Sequence, residues 1–488
     1  MSIAELLMPA IRWSPERGFD HAREMIERAL DLGVGGFIFF GGRDDAVAGL
    51  TAELQSRSST PLLIGSDLER GAGQQFEGLT GLPPLAALGA LRDERAIRDA
   101  ARISARESRS VGVNWIYSPV ADLDIEPANP IVGTRAFGGD PQRVAEQVYA
   151  WIRACQAEGV LACAKHFPGH GRTIGDSHAL LPVVSAPRER LDAEDMVPFR
   201  AAVNADVAAV MTAHVSFPAL DPSGAPATLS APILRGVLRE GMRFRGLIVT
   251  DALIMEGVRS AATEGAGAVR AIEAGCDLLL YPDDLEAVTT ALEQSVDRGP
   301  LTVERIAESQ NRRRKWADWA RDHEAEAATD DDRVRAAEIA RRAVFLARGL
   351  SARLPNGPVE VVIVDDDIGG PYPPPSREPL LAALRARGVE PTLSEVPQGG
   401  ADTPLLVALF GDIRGWKGRP GYSAATVSAV REALTALGAP GRTVIVAQFS
   451  HPRLSAEIPD GPVVVCAWGG ERAMQEALAD RLVNGVGA

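Results

Sequence analysis

The sequence predicts an α/β protein in which an N-terminal (β/α)8 barrel of the TIM type is followed by a smaller α/β domain. Three observations predict this. Short apolar runs alternate with amphipathic segments up to about residue 300, and eight strand–helix repeats over that length are typical of the barrel. A charged stretch without Gly or Pro follows, between residues 301 and 348. The alternation of strand-like and helix-like runs then begins again at Val359.

The candidate barrel strands are short, apolar and bounded by turn-forming residues. They are Leu6–Ile11, Gly35–Phe40, Leu62–Ser66, Val113–Ser118, Leu161–Lys165, Ala208–Thr212, Gly246–Thr250 and Asp277–Tyr281. The segments between them carry apolar residues at helical spacing. They include Asp20–Leu32, Glu94–Val111, Pro141–Glu158, Asp192–Ala205, Ala231–Gly241, Ala266–Ala274 and Leu285–Arg298. Residues 1–300 are therefore predicted to form the barrel.

Residues 301–355 are predicted to be a helical linker, with helices at Glu304–His323 and Arg333–Leu350. Residues 356–488 are predicted to form a C-terminal α/β domain with a largely parallel sheet. Its candidate elements are strands Val359–Val364, Leu405–Phe410, Thr443–Gln448 and Pro462–Ala467, and helices Glu378–Arg387, Ala424–Leu437 and Gly470–Asn484. The triplet Asp365–Asp367 is interpreted as a solvated strand end, with a cation site as the alternative.

Composition excludes several classes of function. The formal net charge of −14 argues against nucleic acid and against an anionic membrane surface as partners. No apolar run approaches the roughly 18 to 20 residues of a membrane span. The N-terminal residues carry no basic segment of the signal-peptide type, so a cytoplasmic location is expected. Cys155, Cys163, Cys276 and Cys466 form no CxxC pattern and are interpreted as reduced core residues.

Polar residues follow five of the eight predicted barrel strands. They are Asp67, Asp122, Asp124, Lys165, His166, His214 and Asp251. Because active sites of this fold lie at the carboxyl ends of the strands, barrel closure is expected to bring these side chains round one opening.

The segment Lys165–His178 carries the strongest signal for chemistry. It holds three of the seven histidines and one of the three lysines. Its Gly and Pro residues oppose helix formation, so a strand ending in Lys-His opens into a loop that closes with Asp-Ser-His.

This segment reads K-H-F-P-G-H-G-x4-D-S-H. Together with Thr250-Asp251-Ala252, Asp67 and Arg135, it resembles the β-N-acetylglucosaminidases of glycoside hydrolase family 3. The resemblance covers the whole predicted barrel and, more weakly, the C-terminal domain. It implies a retaining enzyme that removes terminal non-reducing β-linked N-acetylglucosamine and needs no metal or cofactor. A role in recycling cell-wall fragments is the expected context.

The resemblance also implies residue roles. Asp251 is the carboxylate nucleophile that forms a glycosyl-enzyme, as retention requires. His178 is the acid/base, since imidazole titrates near working pH, and Asp176 orients its ring. Lys165, His166 and Arg135 hold sugar hydroxyls or the acetamido group, and Asp67 accepts bonds from hydroxyls across the ring. His170 is expected to brace the loop.

One stretch departs from the family pattern. The family commonly reads D-Q-E-G-G-x-V-x-R after the third strand, whereas residues 67–75 read D-L-E-R-G-A-G-Q-Q. Gln75 therefore replaces an Arg that commonly contacts the sugar, unless Arg70 reaches the site from another direction. The departure concerns substrate recognition rather than the chemistry.

Four alternatives stay open on the residues alone. His166, His170, Asp176 and His178 have side chains that suit zinc, as in a barrel metallohydrolase. A β-glucosidase of the same family, a phosphorylase in which phosphate replaces water, and a non-catalytic sugar-binding barrel are the others. Oligomeric state leaves no signature in the sequence.

Overall fold

The structure, a computed structural model, describes most of the chain. The described residues are 2–174, 181–259, 262–323, 326–368, 374–398, 400, 402–413, 415–435 and 442–487. The chain divides into two compact units. The first unit comprises Met1–Thr80, Glu94–Glu126 and Ala136–Asp332. The second unit comprises Gly81–Asp93, Pro127–Arg135 and Arg333–Ala488.

Parallel strands form the centre of the first unit, and consecutive strands pair in chain order. Among the described residues they are β1 Leu7–Met8, β2 Ala10–Arg12, β3 Gly36–Phe40, β4 Leu63–Ser66, β5 Trp115–Ile116, β6 Leu161–Phe167, β7 Ala209–Thr212, β8 Leu247–Val249 and β9 Leu279–Leu280. Val249 bridges to Leu278, and β9 pairs with β1. Because β1 and β2 are two pieces of one strand interrupted at Pro9, the ladder returns to its start. The predicted barrel class is confirmed.

Alternate residues of these strands fill the barrel interior, as the period of two requires. The buried cluster there takes its members from successive strands: Met8, Ile38, Leu63, Trp115, Tyr117, Leu161, Cys163, Met211, Leu247, Val249, Leu278 and Leu280. Ala317 and Ala320, from a helix after the barrel, pack against the same cluster. The interior is therefore a packed core, and polar side chains are left to the strand ends.

Helices follow the strands. Those in and after the barrel are α1 Arg23–Leu32, α2 Asp44–Arg57, α3 Leu85–Ala90, α4 Glu94–Ser110, α5 Pro141–Ala157, α6 Arg188–Ala193, α7 Val197–Asn204, the π-helix Pro232–Gly241, α8 Glu256–Arg259, α9 Glu264–Ala274, α10 Leu285–Arg298, α11 Val303–Asp322 and α12 Asp330–Ala343. The segment predicted as one helix, Asp192–Ala205, contains the end of α6 and all of α7. Pro198 lies in the first turn of α7, where a missing N–H is tolerated. No described helix has the length and apolar character needed to cross a bilayer.

The second unit contains its own sheet. Its strands among the described residues, in spatial order, are Phe345–Arg348, Val463–Cys466, Val444–Phe449, Leu405–Phe410, Gly357–Asp365 and Val389–Leu393. The first pairs antiparallel and the others pair parallel. Helices Glu378–Arg385, Ala424–Thr435 and Arg472–Asn484 complete the unit. The largely parallel sheet is as predicted.

The segment after α11 differs from the prediction. The predicted helix Arg333–Leu350 ends at Ala343, and Phe345–Arg348 is an edge strand paired with Val463–Cys466. Phe345 and Leu346 pack against the core of the second unit. Apolar burial along this edge thus overrides the helix propensity of the surrounding charged sequence.

Candidate active site

The polar residues predicted to share one end of the barrel do follow its strands. Asp67 comes directly after β4, and Lys165 and His166 lie near the carboxyl end of β6. His214 follows β7 and Asp251 follows β8. Since the strands are parallel, these positions share the carboxyl edge of the barrel.

Lys165 forms two ion pairs at this edge. Its Nζ lies 2.6 Å from Oδ1 of Asp67 and 2.8 Å from Oε1 of Glu69. The side chains of Lys165 and Glu69 are buried, whereas that of Asp67 is 30% exposed. One cation therefore neutralises a buried carboxylate and holds a second carboxylate that remains accessible from the barrel opening.

Asp122, fully buried, anchors both histidines at the start of the loop. Its Oδ2 lies 2.7 Å from Nδ1 of His166, and its Oδ1 accepts the backbone N–H of His170 at 2.6 Å. Burial opposes ionisation of Asp122, but the attraction of His166 and the bonds from both histidines outweigh it, so the pKa of Asp122 is lowered. The ionised carboxylate accepts a hydrogen bond from the Nδ1–H of His166. This leaves Nε2 of His166 without a hydrogen-bond partner among the described residues.

His170 has the bracing position predicted for it. Its Nδ1 lies 2.7 Å from Oγ1 of Thr173, and its side chain is buried. Burial lowers the pKa of His170 to about 4, although the nearby carboxylate of Asp122 acts in the opposite direction. His170 is therefore neutral near pH 7. A Cβ on Gly171 would lie 2.1 Å from the carbonyl oxygen of Leu123, so only glycine permits this close approach.

Asp251 lies in a turn fixed on two sides. Its Oδ1 accepts the backbone N–H of Ala252 at 2.7 Å. Thr250 donates its N–H to the carbonyl of Leu278 and accepts the N–H of Leu280 on its hydroxyl oxygen. On the other side, Nε2 of His214 lies 3.1 Å from the carbonyl oxygen of Ala252.

The stretch that departs from the family pattern is partly explained. Oε1 of Gln75 accepts the backbone N–H of Gly41 at 3.0 Å, which joins the end of β3 to the segment after β4. Gln75 thus has a local structural bond. Arg70 is buried, and its backbone N–H donates to Oε1 of Gln74 at 2.8 Å.

Arg135 ends a short 3-10 turn, Gly133–Arg135, in the segment that groups with the second unit. Its Nη1 donates to the carbonyl of Ile131 at 3.2 Å. The same segment is braced by Asn129, whose side-chain oxygen accepts the backbone N–H groups of Ile131 and Val132.

The predicted acid/base His178 and its orienting partner Asp176 lie outside the described residues, which stop at Ile174 and resume at Leu181. Within the described part of the chain, no group of three or more His, Cys, Asp or Glu side chains is arranged to hold a metal ion. The four cysteines are free and buried, as predicted.

Sequence reasoning did not assign a role to Glu69 or Thr228. Glu69 could have been found from the sequence, because only one residue separates it from the predicted site residue Asp67. Both carboxylates pair with Lys165. Thr228 gives no such signal, since it contacts His214 only through the fold, with 2.7 Å between its Oγ1 and Nδ1 of His214.

Residues 2–314 match the family model described as the glycosyl hydrolase family 3 N-terminal domain. A beta-hexosaminidase from Nitrosomonas eutropha is 35% identical over 298 residues, which cover 56% of this chain and 85% of that protein. A beta-N-acetylglucosaminidase/beta-glucosidase from Cellulomonas fimi is 36% identical over 277 residues, or 55% of this chain. The match spans only 49% of the Cellulomonas protein.

Solved structures extend the similarity to both units. A glycoside hydrolase family 3 beta-N-acetylglucosaminidase from Paenibacillus sp. str. FPU-7 has a TM-score of 0.85 and 31% identity, covering 99% of this chain and 96% of that one. A beta-glucoside phosphorylase has a TM-score of 0.84 at 22% identity, which shows a shared fold only. With the family model matching well over half of its length, the chain belongs to glycosyl hydrolase family 3.

Proposed function

We propose that this chain is a retaining glycosidase that hydrolyses terminal non-reducing β-linked N-acetylglucosamine. The observation that carries the proposal is the group at the carboxyl edge of the barrel: Asp251, the Asp67–Lys165–Glu69 ion pairs and the Asp122–His166 pair. The name of the Paenibacillus relative, a beta-N-acetylglucosaminidase, supports N-acetylglucosamine as the sugar, and that of the Nitrosomonas relative, a beta-hexosaminidase, supports a hexosaminide.

In the proposed first step, Asp251 attacks the anomeric carbon and forms a glycosyl-enzyme ester while His178 protonates the departing glycosidic oxygen. In the second step, His178 takes a proton from water, which attacks the same carbon and releases Asp251. Asp176 is proposed to orient the His178 ring, a role that rests on the D-S-H spacing and the family resemblance.

The proposed sugar contacts follow from the chemistry of the described groups. The 30% exposed carboxylate of Asp67 is suited to accept bonds from sugar hydroxyls. Nε2 of His166 is suited to contact a hydroxyl, because Asp122 occupies Nδ1. Lys165 is proposed to bind the sugar and to orient the Asp67 carboxylate. Arg135 is proposed to bind hydroxyls or the acetamido group.

We also propose that catalysis belongs to residues 1–300 and that residues 356–488 form a supporting domain. A cytoplasmic role in recycling cell-wall fragments is likewise a proposal. It predicts faster cleavage of N-acetylglucosamine from N-acetylmuramic acid than from a second N-acetylglucosamine, and comparing kcat/KM on the two disaccharides tests it.

The decisive assay compares p-nitrophenyl N-acetylglucosaminide with p-nitrophenyl glucoside, each with and without phosphate. We expect faster release from the first substrate, no phosphate requirement, and free N-acetylglucosamine as product. Preferred release from the glucoside would favour a β-glucosidase, an activity included in the name of the Cellulomonas relative. Formation of a sugar phosphate would favour a phosphorylase. If neither substrate releases p-nitrophenol, the result would favour a non-catalytic sugar-binding barrel.

A further inference from the structure

His214 is a buried histidine to which the proposed mechanism gives no part. It lies two residues after β7 with its side chain fully inside the protein. Nδ1 lies 2.7 Å from Oγ1 of Thr228, and Nε2 lies 3.1 Å from the carbonyl oxygen of Ala252. Ala252 is the residue directly after Asp251. His214 therefore contacts the main chain next to the proposed nucleophile.

The partners of His214 determine where its proton resides. A carbonyl oxygen only accepts hydrogen bonds, so Nε2 must carry a proton and donate it to Ala252. Turning the ring over would place C–H groups where Nε2 and Nδ1 now lie and would lose both hydrogen bonds. Thr228 holds the other side of the ring, and its Oγ1 is itself fixed, 2.8 Å from Oγ1 of Thr212 and 3.1 Å from the carbonyl oxygen of Ala213.

Ala252 connects this arrangement to the nucleophile. Its N–H donates to Oδ1 of Asp251 at 2.7 Å, and its carbonyl accepts from His214. Both polar backbone groups of Ala252 are thus engaged. A displacement of Ala252 that breaks the His214 bond also moves the N–H that directs the Asp251 carboxylate.

The bonds on the other side of the turn do not replace this one. Thr250 and Leu253 are tied to the strand β9 side, where the N–H of Leu253 donates to the carbonyl of Leu280 at 3.0 Å. The N–H of Met255 also donates to the carbonyl of Ala252, at 3.1 Å, whereas the His214 bond joins this carbonyl to the β7 side. Backbone bonds to β9 hold one side of the turn, and the side chain of His214, after β7, holds the other.

We infer that His214 is a positioning residue that fixes the direction of the Asp251 carboxylate through the carbonyl of Ala252, with Thr228 fixing the ring. The inference rests on the proposed function, in which Asp251 is the nucleophile. A displacement of about 1 Å in a reacting group costs about 100-fold in rate, so loss of this contact has a kinetic effect although His214 does not touch the sugar.

The test compares His214→Leu, which removes both ring bonds, with His214→Gln, whose amide N–H occupies the region of Nε2 and restores a donor to Ala252. On p-nitrophenyl N-acetylglucosaminide, we expect His214→Leu to lower kcat by about 10- to 100-fold with KM changed by less than about threefold. His214→Gln is expected to recover most of kcat. A loss confined to stability, or an increase of KM alone, would overturn the inference.

Thr228 provides a second route if the His214 variants do not fold. Thr228→Val removes the hydroxyl that fixes the ring, whereas Thr228→Ser keeps it and serves as the matched control. We expect Thr228→Val, and not Thr228→Ser, to lower kcat at constant KM. In the double variant His214→Leu/Thr228→Val, the losses should fall well short of the product of the single losses, because both act through one bond. Equal activity of the two Thr228 variants would contradict the inference.

A labelling measurement separates this inference from the proposed function. A 5-fluoro N-acetylglucosaminyl fluoride should form a slowly hydrolysed ester on Asp251, because the fluorine beside the ring oxygen destabilises the positively charged transition state. We expect His214→Leu to slow labelling in proportion to kcat. Wild-type protein labelled at another residue would overturn the proposed nucleophile and this inference together. Normal labelling of Asp251 in His214→Leu would overturn the inference alone.

Discussion

Two buried lysines, one in each unit, lie at the carboxyl edge of a parallel sheet between two acidic side chains. In the barrel, Nζ of Lys165 lies 2.6 Å from Asp67 and 2.8 Å from Glu69. In the second unit, Nζ of Lys417 lies 2.7 Å from Asp367 and 3.3 Å from Asp366. Each lysine side chain is 2% exposed. By charge and burial alone the two arrangements are alike.

They differ in what else binds the carboxylates. Asp67 is 30% exposed, whereas Asp366 and Asp367 are at most 2% exposed. Asp366 also accepts bonds from Arg419 and Thr426, and Asp367 pairs with Arg377. The arrangement in the second unit is satisfied by its own protein partners, while the barrel arrangement keeps an accessible carboxylate. The accessible carboxylate of Asp67 therefore distinguishes the barrel arrangement from that of the second unit.

The interpretation of Asp365–Asp367 as a solvated strand end is wrong. Asp366 and Asp367 are buried, and Asp365 pairs with Arg377 at 2.8 Å. Sequence position suggested solvation because polar residues usually follow strands. The basic partners come from Arg377, Lys417 and Arg419, between 10 and 53 positions further along the chain. Local sequence does not reveal that they converge.

The largest effect is expected from removing the proposed nucleophile at the barrel edge. Asp251→Asn should lower kcat by about 10³-fold or more, because an amide cannot form the glycosyl ester. The matched change at the other edge, Asp366→Asn, should leave kcat of the folded protein unchanged. Steady-state kinetics on p-nitrophenyl N-acetylglucosaminide measure both. Equal losses of kcat would remove the distinction between the two edges.

His178→Ala should separate substrates by their leaving groups. A natural disaccharide needs protonation of its leaving oxygen, whereas p-nitrophenolate departs without it, so the variant should lose about 10²- to 10⁴-fold on the disaccharide and less in the first step with the nitrophenyl glycoside. Azide should restore the second step, because it attacks without a base. Asp176→Ala should show a milder form of this pattern. The same loss on both substrates would make His178 a binding residue.

The two lysines can be exchanged for a neutral side chain of similar length. Lys165→Met removes the lysine from Asp67 and Glu69, and Lys417→Met removes it from Asp366 and Asp367, which keep their bonds to Arg419 and Arg377. Breaking a buried ion pair typically costs about 3 to 5 kcal/mol. We expect both to lower the unfolding temperature. Only Lys165→Met should also raise KM for the folded protein, because it releases Asp67. A change in KM for Lys417→Met would show that the second arrangement also acts on the substrate.

The smallest effect is a dependence of stability on pH in the second unit. Burial opposes ionisation of Asp366, but bonds from Arg419 and Thr426 and the attraction of Lys417 outweigh it and lower its pKa to about 2. An unfolded Asp has a pKa of about 3.9, so ionised Asp366 stabilises the folded state by about 2 kcal/mol above that pH. This contribution is lost as pH falls from about 4 to about 2.

Unfolding followed between pH 6 and pH 2.5 measures this contribution. Asp366→Asn should be less stable than wild type at pH 6 and closer to it at pH 2.5. A constant difference between the two proteins across this range would show that ionisation of Asp366 does not stabilise the unit.

The barrel was predictable because its strands are marked locally, by apolar runs that end in polar residues such as Asp67 and Asp251. Two edge strands of the second unit were not. Val389–Leu393 contains Pro391, which argues against a central strand but is tolerated at an edge. Helix α2 also gave a weak signal, because its apolar face in Asp44–Arg57 is limited to Val47, Leu50 and Leu54 among small and polar residues.

The candidate site was predictable in its members but not in its contacts. Lys165 and Asp67 are 98 positions apart, and His214 and Ala252 are 38 apart. Pairings over such distances depend on which strands become neighbours. The K-H-F-P-G-H-G motif identified His166, yet nothing in it indicates that Asp122 occupies Nδ1.

The division of the chain into interleaved segments has a consequence for its synthesis. The chain passes from one unit to the other five times, at residues 80/81, 93/94, 126/127, 135/136 and 332/333. Ala86 and Ala87 belong to the same buried cluster as Leu381, Leu406 and Leu482, which the ribosome adds hundreds of residues later. Helix α3 must therefore leave the ribosome with its apolar face uncovered and wait for its partners. No single cut yields either unit complete, so neither can be inherited, exchanged or expressed as one continuous segment.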